Sequence, residues 1–159
     1  MGSTQSSTDS AVAAADRGFD RALGSAAAGY RLLGWSVVVA EHGIFLDLGP
    51  TAIAVAMPGR AGARVLADLK SRMLAGPTLV LPGPQERWVF LAELVALLPT
   101  QLQAPADVQL VRPPHRVVLP PTLTQHGPVR WANPPSAARH WLPPFTAVIA
   151  LARAMGSGE

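Results

Sequence analysis

The side chains able to do chemistry in this 159-residue chain are few and far apart. The four histidines are His42, His115, His126 and His140. No two stand at the i, i+4 spacing that puts both rings on one helix face, and no acid accompanies them at zinc-site spacing. His115 and His126 flank one predicted hairpin and could approach each other, but a solvated loop histidine is the simpler reading of each. There is no cysteine, which excludes disulfides and thiolate metal sites. Neither a Gly-x-Ser-x-Gly nucleophile elbow nor a Walker-type phosphate loop occurs. Gly59-Arg60-Ala61-Gly62 precedes a predicted helix, where backbone amides can hold an anion; a plain turn opening a helix accounts for the same residues. Trp35, Trp88, Trp131 and Trp141 offer faces for base stacking, although tryptophans at strand ends more often pack a core.

The elements that must position these groups follow from pattern. Residues 1–10 are small and polar and are expected to be a disordered tail. Phe19, Leu23, Ala26, Tyr30 and Leu33 then fall at steps of four, three, four and three, one face of a helix over Ala11 to Leu33. Gly34 suits its end. Strands follow at Trp35 to Ala40, Ile44 to Leu48 and Thr51 to Met57. The last is apolar on both faces and belongs in the middle of a sheet. Ala61, Val65, Leu66, Leu69 and Met73 mark a helix over Arg60 to Leu74. Thr78 to Leu81 and Arg87 to Leu91 read as a hairpin around Pro82-Gly83-Pro84. Glu93 to Leu102 is ambiguous, with a short helix broken near Pro99 as one reading. Asp107 to Trp131 reads as a hairpin, a Pro-Pro stop and a short closing strand. Phe145, Val148, Ile149 and Ala152 mark a last helix ended by Gly156. The expected fold is α+β: a single domain over residues 11–156 with a mixed or antiparallel sheet and flanking helices.

Composition sets the outer limits. Hydrophobic residues make up 49% of the chain and charged ones 14%, which favours a packed core over disorder. Net charge is only +3, and Lys70 is the single lysine among 13 basic residues. No basic tail of the kind that marks nucleic-acid binders is present. No apolar run reaches the length of a membrane span, and the first residues lack the pattern of a secretory signal, so the expected location is the cytoplasm, with no membrane partner.

Three stretches share a pattern beyond their elements. Ala26-Ala27-Ala28-Gly29-Tyr30-Arg31-Leu32-Leu33-Gly34-Trp35 runs an alanine-rich helix with an aromatic residue into Gly-Trp and a strand. Pro77-Thr78-Leu79-Val80 and Trp88-Val89-Phe90-Leu91 form a central hairpin. Arg116-Val117-Val118-Leu119-Pro120-Pro121-Thr122 followed by Gly127-Pro128-Val129-Arg130-Trp131 closes the domain. In this order and spacing the chain, from Ala26 to about Pro135, resembles the bifunctional primase/polymerase N-terminal domain of the archaeo-eukaryotic primase superfamily, as found in actinobacteria and their phages.

The resemblance implies nucleotidyl transfer with two divalent ions about 4 Å apart, held by carboxylates. An Asp-x-Asp is expected where the third strand ends, because residues i and i+2 face the same way. A third acid is expected on a neighbouring strand, and a histidine that binds nucleotide phosphate on the middle hairpin. This chain departs from that pattern. The third strand reads Ile53-Ala54-Val55-Ala56-Met57-Pro58, and Arg87 stands near the histidine position. Asp107 alone occupies an acid position. Arginine can hold a phosphate but cannot replace the acids.

The leading expectation is therefore a degenerate primase/polymerase-type domain without catalysis, binding DNA, a nucleotide or a protein partner. Arg87, Arg112, Arg116 and Arg130 would line its nucleic-acid groove, solvated surface arginines being the alternative. No cofactor is expected. A second reading is an active nucleotidyltransferase with displaced carboxylates, in which Asp47 and Asp107 share Mg2+ or Mn2+. A third is an interaction module unrelated to nucleic acid, with an exposed apolar patch around Leu142 to Phe145 and the final helix through which it dimerises.

Overall fold

The computed structural model describes residues 3–41, 43–94, 104–136 and 141–156. In chain order these form α1 (Ser3–Leu32), β1 (Val37–Ala40), β2 (Gly43–Asp47), β3 (Ala52–Pro58), α2 (Gly59–Ser71), β4 (Thr78–Leu81), β5 (Arg87–Glu93), β6 (Gln109–Val111), β7 (Arg116–Leu119), β8 (Leu123–Thr124), β9 (Gly127–Pro128), β10 (Arg130–Asn133) and α3 (Phe145–Gly156). The fold is α+β, and every pairing between these strands is antiparallel. His42, His140 and most of the ambiguous 93–102 stretch lie outside the described residues.

Two main sheets and a two-stranded ribbon of β8 and β9 stand where one sheet was expected. Five strands run in the order β10-β4-β5-β3-β6, and three in the order β1-β2-β7. The predicted hairpin of β6 and β7 does not form. β6 pairs with β3 in the large sheet and β7 with β2 in the small one. The turn through Pro113 and Pro114 carries the chain from one sheet to the other. Gly49, at φ +68, makes the reverse crossing between β2 and β3.

β3 is the axis of the molecule. It lies between β5 and β6, and Ile53 to Met57 are all buried. Strand side chains alternate between faces, and here both faces are covered. Ala54 and Ala56 pack with Leu79, Val89 and Leu91 toward the small sheet and α1. Ile53, Val55 and Met57 pack with Phe90 toward α2 and α3. The layers are thus α1 with the small sheet, the large sheet, then α2 with α3.

α1 is anchored by its last four turns. Leu23, Ala27 and Tyr30 are buried, with Phe19, Ala26 and Leu33 packed beside them, as the spacing predicts. The helix nevertheless starts at Ser3 rather than Ala11. Residues 6–18 are exposed, so this extension rests on local helix propensity, to which alanines contribute most. Where α1 meets the sheets, Tyr30 stacks on Trp35 with ring centroids 5.6 Å apart, and Trp131 meets both rings at 6.1 Å. The Gly-Trp after α1 and the closing Trp131 are therefore one packing unit. Thr122, buried in the Pro-Pro-Thr stretch, accepts a 2.8 Å hydrogen bond from the Ile44 N–H and ties that loop to β2.

α2 ends in two reverse hydrogen bonds, Leu74 N–H to the Leu69 carbonyl at 2.8 Å and Met73 N–H to the Lys70 carbonyl at 3.1 Å. This is the Schellman arrangement, whose residue past the cap is left-handed and is ordinarily glycine. Here it is Met73, at φ +58 and 78% exposed. Met73 therefore leaves the apolar stripe that its spacing predicts. A side chain in that conformation costs roughly 1–2 kcal/mol.

Candidate functional site

β3 delivers its C-terminal end to a point where three segments converge. Pro58 is in register with Arg87 on β5. The Arg87 guanidinium Nη2 donates to the Ala56 carbonyl at 3.4 Å and to the Asp107 carbonyl at 3.2 Å. Arg87 thereby pins the turn before β6 against β3. Its Nε is buried and makes no hydrogen bond among the described residues. Residues 56–58, 87 and 107, distant in sequence, are neighbours in the fold.

Beside them opens a cleft of about 350 Å³ between β3, α2 and α3. Arg60 and Arg64 of α2, Asp107 from the turn before β6, and the apolar Met57 and Met155 line it. Arg60 and Arg64 are i, i+4 neighbours at the start of a helix, so they share one face. The α2 N-terminus has no side-chain cap and no acid in its first turn. Its positive dipole end adds to both guanidinium groups. Asp107, exposed, is the only acid on the cleft wall among the described residues. The cleft wall thus carries two guanidinium groups against one carboxylate.

The glycines of the Gly59-Arg60-Ala61-Gly62 turn have a separate explanation. A Cβ on Gly62 would stand 2.5 Å from Trp88 Cβ, so glycine is what lets α2 lie against β5. Gly59 N–H donates to the Glu86 carbonyl at 2.9 Å. Trp88 is partly buried against α2, and its Nε1–H donates to Glu86 Oε1 at 3.0 Å. These contacts fix the helix start, and the arginines supply the charge. Arg64 carries no motif; its signal was the four-residue spacing from Arg60.

The predicted metal ligands are not brought together. Asp47 ends β2 in the small sheet and is held by Arg116, its register partner on β7, with Nε to Oδ1 at 2.7 Å. It borders a hollow with Gly49 and Ala52, at the start of β3. Asp107 borders the cleft at the other end of that strand. The seven residues of β3 at about 3.3 Å each separate the two by about 20 Å, against the roughly 4 Å of a two-ion site. Among the described residues no three His, Cys, Asp or Glu side chains are close enough to hold a metal ion. One carboxylate beside Ala56, Met57 and Pro58 does not fit a pair of divalent ions.

The four predicted groove arginines split into two pairs. Arg87 and Arg130 belong to the Pro58 end of the large sheet, where Arg130 also meets Glu86 at 3.4 Å. Arg116 stands at the Asp47 end, and Arg112, exposed just past β6, leads toward it. His115 and His126 are both exposed, the first in the turn before β7 and the second in the β8–β9 turn. The expected apolar patch from Leu142 to Phe145 is not a surface. Phe145, Val148 and Ile149 are buried beneath α2, because α3 turns its apolar face to the sheet. Trp141, just before it, is 42% exposed.

No described helix is long and apolar enough to cross a membrane. Comparison with known proteins finds no matching family model, no matching curated protein and no matching solved structure.

Proposed function

We propose that this chain is a primase/polymerase-type scaffold that no longer transfers nucleotides and that binds nucleic-acid phosphates at the Arg60–Arg64 cleft. The carrying observation is the convergence at the end of β3. The resemblance assigns the acid pair, the phosphate-binding histidine and the third acid to the strand end at residues 56–58, to Arg87 and to Asp107. Those positions adjoin one another, with Pro58 in register with Arg87 and Arg87 bonded to the Asp107 carbonyl. This adjacency of three segments remote in sequence supports the reading.

The chemistry of the present residues supports binding without transfer. Alanine, methionine and proline offer no ligand to a hard cation. Two arginines and a helix N-terminus replace a cation-binding pocket with an anion-binding one. Guanidinium groups hold phosphate oxygens directly and need no bridging metal.

Two assays test the reading. Fluorescence anisotropy with a labelled single-stranded oligonucleotide is expected to show saturable binding that weakens with salt and is lost in the Arg60→Glu/Arg64→Glu double variant. A primer-synthesis assay with Mg2+ or Mn2+ is expected to yield no product. Template-directed synthesis that disappears in Asp107→Ala would overturn the non-catalytic part. Oligonucleotide binding indifferent to both arginines would overturn the site.

A further inference from the structure

We propose that the Arg60–Arg64 cleft also reads one base of the strand whose phosphates it holds, and that Asp107 selects guanine there. This inference rests on the function proposed above and deepens it. The charged side chains lining the cleft are Arg60, Arg64 and Asp107. Among the described residues none of the three side chains makes an ion pair or a hydrogen bond; the ion pairs of the fold lie elsewhere, at Asp47–Arg116 and Glu86–Arg130.

A carboxylate is out of place in a site that takes phosphate alone, because the two charges repel. The fold does not call for it either. What pins the turn before β6 is the Asp107 backbone carbonyl, which accepts from Arg87. Any residue type supplies that carbonyl. The carboxylate is left to meet a ligand, and an ionised carboxylate only accepts hydrogen bonds. In a single strand, donors are found on the Watson–Crick edge of an unstacked base.

The geometry of the donors singles out guanine. Its N1–H and its N2 amino group are adjacent and parallel, and together they match the two oxygens of one carboxylate. Adenine and cytosine offer one amino group beside an acceptor, and thymine a single N–H between two carbonyls. Such charge-assisted paired bonds are stronger than neutral ones. The rest of the lining suits the face of a base. Met57, Ala61, Val108, Ala152 and Met155 are apolar, and thioethers make favourable contacts with aromatic rings. The cleft volume of about 350 Å³ falls within the range of about 300–1,000 Å³ of small-ligand sites.

The test uses the full chain and fluorescein-labelled oligothymidylate in which one central thymine is replaced by guanine or by hypoxanthine. The guanine strand is expected to bind about tenfold more tightly than the all-thymine strand. Hypoxanthine lacks only the N2 amino group and is expected to lose most of that gain. Asp107 is exposed, so Asp107→Asn is expected to keep the thermal midpoint. It is expected to abolish the guanine preference and to tighten binding of the all-thymine strand, since a negative charge leaves the phosphate site. Equal binding of the guanine and thymine strands, or a guanine preference that survives Asp107→Asn, would overturn the inference. So would a ribose form of the all-thymine strand bound more tightly than the deoxyribose form through Asp107, which would assign the carboxylate to a sugar hydroxyl. Binding that is lost in Arg60→Glu/Arg64→Glu but blind to the base would sink this inference alone and leave the phosphate site standing. Binding indifferent to both arginines would sink the two together.

Discussion

Tyr30 and Trp131 stand 101 residues apart in the chain and 3.2 Å apart in the fold, the indole Nε1–H donating to the tyrosine hydroxyl. That hydroxyl in turn donates to the Pro120 carbonyl at 2.7 Å. One oxygen thus links α1, the Pro-Pro loop and β10. Tyr30→Phe leaves an indole donor and a carbonyl without their partner. Urea unfolding is expected to show a loss of about 1–3 kcal/mol.

The same hydroxyl makes stability depend on alkaline pH. Burial raises the Tyr30 pKa above 10.0, and the Trp131 hydrogen bond opposes this in part. A raised acid pKa means that the folded chain holds its proton longer than the unfolded chain. The contribution is complete below pH 10 and declines as pH climbs toward the raised value. Tyr30 is the only tyrosine, so tyrosinate absorbance reports on it alone. The folded chain is expected to titrate later than the urea-unfolded chain, and coincident curves would contradict this.

Gly62→Ala tests the seat of α2. Alanine favours a helix over glycine by about 1 kcal/mol. The added methyl group would meet Trp88 Cβ at 2.5 Å and Cγ at 2.7 Å. Overpacking of this kind costs about 1–3 kcal/mol, so a net drop in the thermal midpoint is expected. The same substitution at Gly29, which has open space around it, is expected to raise it.

Asp47→Asn separates an ion pair from a metal ligand. The Arg116 and Asp47 side chains are 48% and 40% exposed, and such a pair contributes up to about 1 kcal/mol. Oligonucleotide affinity is expected to stay unchanged, since Asp47 lies at the far end of β3 from the cleft. A large loss of affinity in this variant would tie the two ends together.

Arg60→Ala and Arg64→Ala are expected to lower the slope of log affinity against log salt by about 0.7 each for single-stranded DNA. Arg112→Ala, outside the cleft, is expected to leave the slope unaltered. Titration at several salt concentrations distinguishes these outcomes.

Much of the fold was legible in local pattern. The stripe of Val65, Leu66 and Leu69 located α2, and the two-sided run from Ile53 to Met57 correctly placed β3 within a sheet's interior. Which strands become partners was not legible. Alternation along Val117 to Leu119 says which side chains face inward, not which neighbour pairs alongside. The turn at Pro113-Pro114 therefore read as a hairpin although it joins two sheets. Met73 fits the helical period but lies past the cap, where backbone geometry overrides spacing. The cleft was visible only in fragments. Arg60 lay in a recognised turn and Asp107 in a recognised segment, but their meeting across β3 depends on register. Arg64 had nothing but its distance from Arg60.

The interior position of β3 also limits what can be introduced along it. Ala56 is 6% exposed and packs among Val89, Leu79 and Leu91. Aspartate introduced there would be buried in a hydrocarbon layer, a burden of several kcal/mol. A single exchange to an acid at residue 56 is therefore expected to destabilise the fold. To seat a carboxylate there, the surrounding hydrocarbon would have to be rebuilt with it.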